Sequence, residues 1–280
     1  MVRGVVPRQP AKTGRQEGAR KALARTQVTP ARTKTEHRPS ARPKSAKPAA
    51  GKPPTGYNPV SAERVREILA RLDQLYPGAT CALEHKSAWH LLVATILSAQ
   101  CTDVRVNMVT PGLFVKYPSP AHFAALKPEE LEPDIRSTGF FRNKSKSIVG
   151  AAQKVMSEFG GQVPDTMEQL LTLPGVARKT ANVVLGTWFK KATGVVVDTH
   201  VQRIARRLEL TKEEDPQKIE QDLMRVIPQQ KWIEFAHQII WHGRKLCVAR
   251  QPKCADCPLE PFCHAADKTW MTVEVHKSAR

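Results

Sequence analysis

Acidic residues are scarce in this chain: 26 Asp and Glu stand against 44 Lys and Arg in 280 residues, a formal charge of +18. A balance so one-sided argues against a cationic partner and for a polyanionic one, most simply nucleic acid. The shortage is uneven. Residues 1–55 hold fourteen Lys and Arg but only Glu17 and Glu36, so +12 of the charge lies there and +6 in the rest. The same segment has no aromatic residue, no apolar period and eight prolines between Pro7 and Pro54. It has too little to bury to fold alone and is expected to be a disordered basic tail that adds a salt-sensitive, sequence-blind attraction. It lacks the apolar stretch of a secretory signal, and its prolines oppose the amphipathic helix of an organellar transit peptide. Long apolar runs are missing everywhere, which excludes membrane-spanning helices. Internal repeats are missing too, which excludes a solenoid. Strand-forming runs are nearly missing: Val195–Val197 is the single candidate.

What is present from Ser61 onward is helical periodicity. Val65, Ile68, Leu69, Leu72 and Leu75 make one apolar stripe, ended by Pro77-Gly78. His90–Leu97 is apolar nearly all round and reads as a buried helix. Thr102 and Asp103 are cap candidates for a helix that meets Pro111-Gly112 partway. Short helices fit 119–126 and 128–137. Lys144–Phe159, a helix capped by Asp165 or Thr166 and running through Leu171, Ala177–Phe189, Thr199–Leu208, Pro216–Val226 and Lys231–His242 complete an all-α pattern.

One stretch combines a turn with chemistry. Leu173-Pro174-Gly175-Val176-Ala177 places a tight Pro-Gly turn directly ahead of a helical pattern, and such a turn aims unpaired amides outward, where they can grip phosphate. Lys179 falls on the first turns of that helix. Asp198 opens the next one, followed by Thr199 and His200. An amine beside a carboxylate and next to a phosphate clamp suits amine-based chemistry on a nucleic-acid sugar. Taken alone, Lys179 also reads as a surface cation touching phosphate, and Asp198 as a plain helix cap.

Cysteine is sparse as well, six in all, but four of the six are clustered. Cys247, Cys254, Cys257 and Cys263 form C-x6-C-x2-C-x5-C, which in a chain of an intracellular type reads as a metal site. Zinc sites usually pair two C-x2-C knuckles. A single such pair with unequal loops better matches a 4Fe–4S cubane, whose irons each need one sulfur. Four protein thiolates close the site, so its role is structural: ordering a loop that brings Arg244, Lys245, Arg250 and Lys253 toward a phosphate backbone. Cys81 and Cys101 read as small apolar residues, and Trp188, Trp232 and Trp241 as core residues.

With these motifs together, the chain resembles the endonuclease III family of helix–hairpin–helix DNA glycosylases. The resemblance rests on Leu97-Ser98-Ala99-Gln100 with Thr102-Asp103, on Gly139-Phe140-Phe141 with Asn143-Lys144, on the hairpin with Arg178-Lys179-Thr180-Ala181-Asn182, on Val197-Asp198-Thr199-His200, and on the four cysteines. It covers about Ser61–Cys263. It implies two helical domains with a DNA cleft between them: a six-helix barrel over 84–193 and a cluster-bearing domain over 56–83 and 194–280. It implies Lys179 as nucleophile and Asp198 as its assistant. Gln100 would fill the gap left by an extruded nucleotide, with Phe141 or its neighbour wedging the other side. Arg142, Asn143, Lys144, Leu173, Gly175, Ala177, Thr199 and His200 would meet the DNA. Ala177 stands where the family usually has a second hairpin glycine, which is acceptable only if that position avoids positive φ.

The function implied is a glycosylase and abasic-site lyase acting on oxidised pyrimidines in duplex DNA. Attack needs a neutral amine, whereas lysine in water is ammonium; partial burial and the helix terminus favour the neutral form, and Asp198 opposes it. Two alternatives differ in chemistry. An adenine glycosylase relative lacks a lysine at position 179, and a DNA-structure binder would need no nucleophile. The expected setting is a monomer in the cytoplasm, at the nucleoid in a bacterium or in the nucleus or an organelle in a eukaryote.

Overall fold

Serine, threonine and aspartate side chains start most of the helices by accepting bonds from otherwise unpaired first-turn amides. In the computed structural model, which describes residues 56–269, Ser61 starts α1 (Ala62–Leu75), Ser87 starts α2 (Ala88–Leu97) and Thr102 starts α3 (Asp103–Lys116). Two short helices begin with proline at their first turn, α4 (Pro120–Ala124) and α5 (Pro128–Ile135). The long α6 (Phe141–Glu158) follows. Thr166 starts α7 (Met167–Leu171), and α8 (Arg178–Thr187) comes after the hairpin. Asp198 starts α9 (Thr199–Arg207), Asp215 starts α10 (Pro216–Val226), and α11 (Trp232–Lys245) ends the set. The expected basic tail at 1–55 lies outside the described residues.

Two expectations need correction. Val195–Val197 forms no strand; among the described residues there is none. Val195 and Val197 are buried in extended backbone, with apolar packing in place of a partner strand. Pro111 does not interrupt α3, which runs through it to Lys116. The amide that proline removes is on an exposed turn, so its loss strands no buried group.

The buried apolar residues form two separate cores. The first runs from Leu83 to Leu185, with α2 at its centre: Trp89 and every residue from Leu91 to Leu97 are buried. Helices α3, α6 and α8 pack on α2, while α4 and α5 lie on α6. The second core gathers Val65–Tyr76 of α1 and then Val195–Leu259, with α11 packed on α9 and α1. The chain thus leaves the second core after α1, builds the whole of the first, and returns. The elements that carry the chemistry lie on either side of this return.

Candidate active site

The hairpin between α7 and α8 is built by close approach. Gly175 has φ +75, and a Cβ there would lie 2.5 Å from Ser147 Cβ on α6. Pro174 packs at Gly150 of the same helix. Only glycine meets both demands at 175. Ala177 sits at φ −95 and ψ 170, extended rather than left-handed, so its methyl group is accommodated without strain. It caps α8 with no side-chain bond. The first-turn amides of α8 have no acceptor within the helix and face outward beside Lys179.

Lys179 and Asp198 line one open cleft of about 240 Å³. The α8 side supplies Lys179, Thr180 and Val183; the return segment supplies Val196 and Asp198; α11 supplies His237, Ile240, Trp241 and Arg244. Residues 80–83 and the turn after α2, including Gln100, close the remaining walls. Arg244 of α11 bonds Asp103 of α3 across the mouth. Lys179 is exposed, not partly buried, and forms no hydrogen bond or ion pair with the described residues. Asp198 Oδ1 accepts from His200 N and Val201 N, both at 2.8 Å. Its cap role and its place in the cleft therefore hold together.

A buried polar knot fixes the helix that carries Lys179. Arg178 donates twice to the Glu220 carboxylate of α10, at 2.8 and 3.1 Å, and Asn182 Nδ2 donates to the same group at 2.8 Å. Thr193 donates to Asn182 Oδ1, and at Gly194 a Cβ would fall 2.0 Å from Glu220 Oε1. The sequence pattern missed Glu220. An acid next to Ile219 on the buried face of an amphipathic helix was the available signal.

Four sulfurs line a second, separate cavity: Cys247, Cys254, Cys257 and Cys263. Arg207 Nη1 donates to Cys247 Sγ at 3.1 Å and Thr269 N to Cys254 Sγ at 3.4 Å. Tyr76 and His242 form a bonded pair at 3.1 Å, and His242 Nε2 lies 3.5 Å from Cys257 Sγ. Burial pushes the Cys257 thiol up to about 12. Thiolates in this place therefore need a cationic partner, and the donors aimed at them are what a bound metal group's ligands require. Among the described residues no three His, Cys, Asp or Glu side chains are arranged to hold a single metal ion.

A turn-and-helix that presents amides, an unpaired lysine, a capping aspartate and a sulfur cavity have counterparts among known proteins. Residues 93–229 match the HhH-GPD superfamily of base excision DNA repair proteins. The chain is similar to the endonuclease III of Synechocystis sp., 57% identical over 204 residues that cover 73% of this chain and 93% of that one. The chain belongs to the endonuclease III family. It is accordingly a base-excision-repair glycosylase with abasic-site lyase activity. Its fold is similar to a non-covalent endonuclease III–DNA complex (TM-score 0.69, 41% identical, covering 72% of this chain and 95% of that one). It is also similar to a trapped endonuclease III–DNA covalent intermediate (TM-score 0.69, 38% identical, covering 79% and 99%).

Within this endonuclease III fold several expected contact residues sit differently from their sequence reading. Lys144 is 4% exposed, and its ammonium donates to Leu97 O and Thr138 O, both at 2.8 Å. It ties two turns together instead of reaching DNA, and burial pushes its amine below the usual lysine range. Leu173 is buried in the first core with its amide bonded to Leu170 O, so it anchors the hairpin. Phe141 packs on the first core, while Phe140 is 60% exposed in left-handed backbone at φ 48. The projecting aromatic is thus the neighbour, Phe140. Gln100, at φ 53, is also left-handed and exposed. Arg142, Asn143 and Thr199 are exposed; His200 is half-buried against Gly243, with its Nδ1 3.2 Å from Arg203. Burial, the largest influence on it, holds the His200 imidazole below its ordinary range.

The apolar reading of Cys81 and Cys101 fits their packing on the first core. Of the three tryptophans, Trp232 is buried, whereas Trp188 is 39% exposed and Trp241 faces the cleft. Arg244 and Lys245 belong to α11, so only Arg250 and Lys253 ride exposed on the cysteine loop.

Proposed function

We propose that Lys179 is the nucleophile and Asp198 its assisting carboxylate in removing an oxidised pyrimidine from duplex DNA and cutting the strand 3′ to the resulting abasic site. The observation that carries this is an unpaired Lys179 amine sharing a cleft with Asp198, beside outward amides of α8. A phosphate seated on those amides and on the hairpin at Gly175 and Ala177 holds the backbone. The duplex is probed by Gln100 and Phe140, with Arg142, Asn143 and Thr199 close to the phosphates. The damaged nucleotide swings into the cleft.

The neutral amine attacks C1′, and the C1′–N bond breaks with its electron pair leaving on the base. Ring opening gives the imine, the amine having lost its proton. A proton then leaves C2′ and the 3′ phosphate departs, and water later releases the lysine. DNA covering the exposed amine removes it from water, which favours its neutral form. Asp198 stabilises the cationic sugar as it forms. His200, turned toward Arg203 and Gly243, supports the start of α9.

Cys247, Cys254, Cys257 and Cys263 would hold a 4Fe–4S cluster, with Arg207, His242 and the Thr269 amide as donors to its sulfur ligands. When bound it supplies structural closure of the loop bearing Arg250 and Lys253. The two cores support a division into 84–193 and 56–83 with 194–280, with Leu83 already in the first core. The active form is a monomer on DNA, at the nucleoid in a bacterium. No helix of the described residues is long and apolar enough to cross a membrane.

Borohydride trapping on abasic-site duplex tests the chemistry. Wild-type protein is expected to give a covalent DNA adduct that Lys179→Gln loses while DNA binding survives. A wild-type protein without an adduct would point to a binder or an adenine-type glycosylase instead.

A further inference from the structure

The polar side chains lining the cleft divide by whether their bonding capacity is spent. Thr95 donates to Leu91 O, Ser98 to Thr95 O, and Trp241 Nε1 to Thr80 O. Asp103 and Arg244 hold each other, and Asp198 caps α9. Thr80, Gln100, Lys179, Thr180 and His237 are left with side chains that bond nothing among the described residues. Lys179 and Gln100 already have parts in the proposed reaction. His237 does not, and it is the one aromatic ring with free nitrogen atoms in the cleft.

His237 lies on α11 one turn before Trp241 and two turns before Arg244, all three lining the cleft. Apolar residues share the cleft wall with it: Ile240 on its own helix, Val183 of α8 and Val196 of the return segment. The imidazole is half-buried, and burial together with nearby Lys190 lowers its pKa to about 4. At neutral pH the ring is therefore uncharged and presents one N–H donor and one bare nitrogen acceptor. Its nitrogens bond no protein group among the described residues and are open to the cleft. A mostly apolar pocket with a few oriented polar groups is how proteins read small planar or near-planar ligands.

We infer that His237 reads the extruded base, forming one hydrogen bond to the carbonyl and imide edge of an oxidised pyrimidine held against Ile240 and Val196. The inference rests on the glycosylase reading of the same cleft and adds its specificity element. A neutral ring suits this task. A cationic one would be repelled by Lys190 and would be costly to desolvate. The partner chemistry follows from the donor–acceptor pair: carbonyl oxygens and an N–H, the pattern that pyrimidine rings keep after oxidation of their 5–6 bond.

The test compares two substrates on one preparation of full-length enzyme: duplex with a single thymine glycol, and the same duplex with an abasic site. The abasic site has no base to read. His237→Leu is expected to lower kcat/KM for base removal relative to the abasic-site cut by about tenfold or more, the scale of one lost hydrogen bond at a site built for it. Any misfolded fraction cancels in that ratio. His237→Gln, which keeps a donor and an acceptor, is expected to recover most of the loss. An unchanged ratio in His237→Leu, or a Gln variant as impaired as the Leu variant, overturns the inference. Wild-type enzyme inactive on both duplexes would instead overturn the underlying glycosylase reading.

Discussion

The two cores hold themselves together by different means. The first is closed by continuous apolar packing: α2 is buried nearly all round, and Phe123 lies fully buried against Trp89 and Tyr117. The second, assembled from two distant parts of the chain, encloses charge. Arg64 bonds three backbone carbonyls, from Pro59, Leu208 and Phe262. Arg207 reaches Asp267, Val248 O and Cys247 Sγ. Gln238 and His242 are buried as well. Apolar packing tolerates partial loss, since each removed group costs its own share. A buried polar web fails as a unit, because each broken bond strands its partner. The first core is a platform for the hairpin, and the proposed cluster would make the second depend on what its sulfur cavity holds.

The largest expected effect tests that dependence. Cys257→Ala should cost on the order of 5 kcal/mol or more through loss of the bound group. Native-state hydrogen exchange should show α9 and α11 losing protection while α2 and α6 keep theirs; equal loss in both would mean one cooperative body and end the comparison. Next, Phe123→Ala should cost about 4 kcal/mol in denaturant unfolding, with the protein's visible absorption intact. Bleaching of that absorption would show the cores to be coupled.

Third comes pH. The folded His237 imidazole is held at about 4, against about 6.5 in an unfolded chain. As pH falls from 6.5 to 4, the unfolded chain binds a proton that the folded one refuses. This contribution is fully present above 6.5, fades by at most about 3 kcal/mol, and is flat below 4. His237→Gln should remove that part of the slope, and a slope identical to wild type would refute a neutral buried ring. Smaller still, Glu220→Gln should cost about 2 kcal/mol, a value reduced from that of a fully buried pair because the Arg178 side chain is 42% exposed. Strand cutting should fall further than stability alone explains, since α8 loses its tie to α10; unaltered cutting would make the knot merely structural. The smallest is Gly175→Ala, about 1–2 kcal/mol from left-handed backbone and the crowding at Ser147. Its weakening of DNA binding should be the same for damaged and intact duplex, as measured by titration at fixed salt.

How much the sequence disclosed follows the range of the interaction. Helix starts were legible where a Thr or Asp cap lies within three residues of the amide it serves, as at Thr102, Thr166 and Asp198, though Ser87, which starts α2 by the same kind of bond, was passed over for a start at His90. The hairpin, Lys179, Asp198 and the four cysteines were legible because turn chemistry and ligand spacing are local in sequence. Long-range geometry was hidden. Lys144 looked like a phosphate contact until Leu97 O and Thr138 O, 47 and 6 residues away, were found beneath its ammonium. Phe140 and Phe141 are adjacent, and only the left-handed backbone at 140 decides which ring projects. Val195–Val197 has strand composition, but no neighbouring chain is placed to pair with it. Glu220 owes its role to α8, 38 and 42 residues away at its bonding partners, and its acid on a buried helix face was the one local hint; for His237 nothing nearby in the chain gives one.

Lys144 is a rivet through two loops. One of its carbonyl partners stands three residues before Gln100 and the other two residues before Phe140, so both outward probes are fastened at their roots to the same nitrogen. Both segments therefore share one anchor, and displacing Lys144 would free the two together.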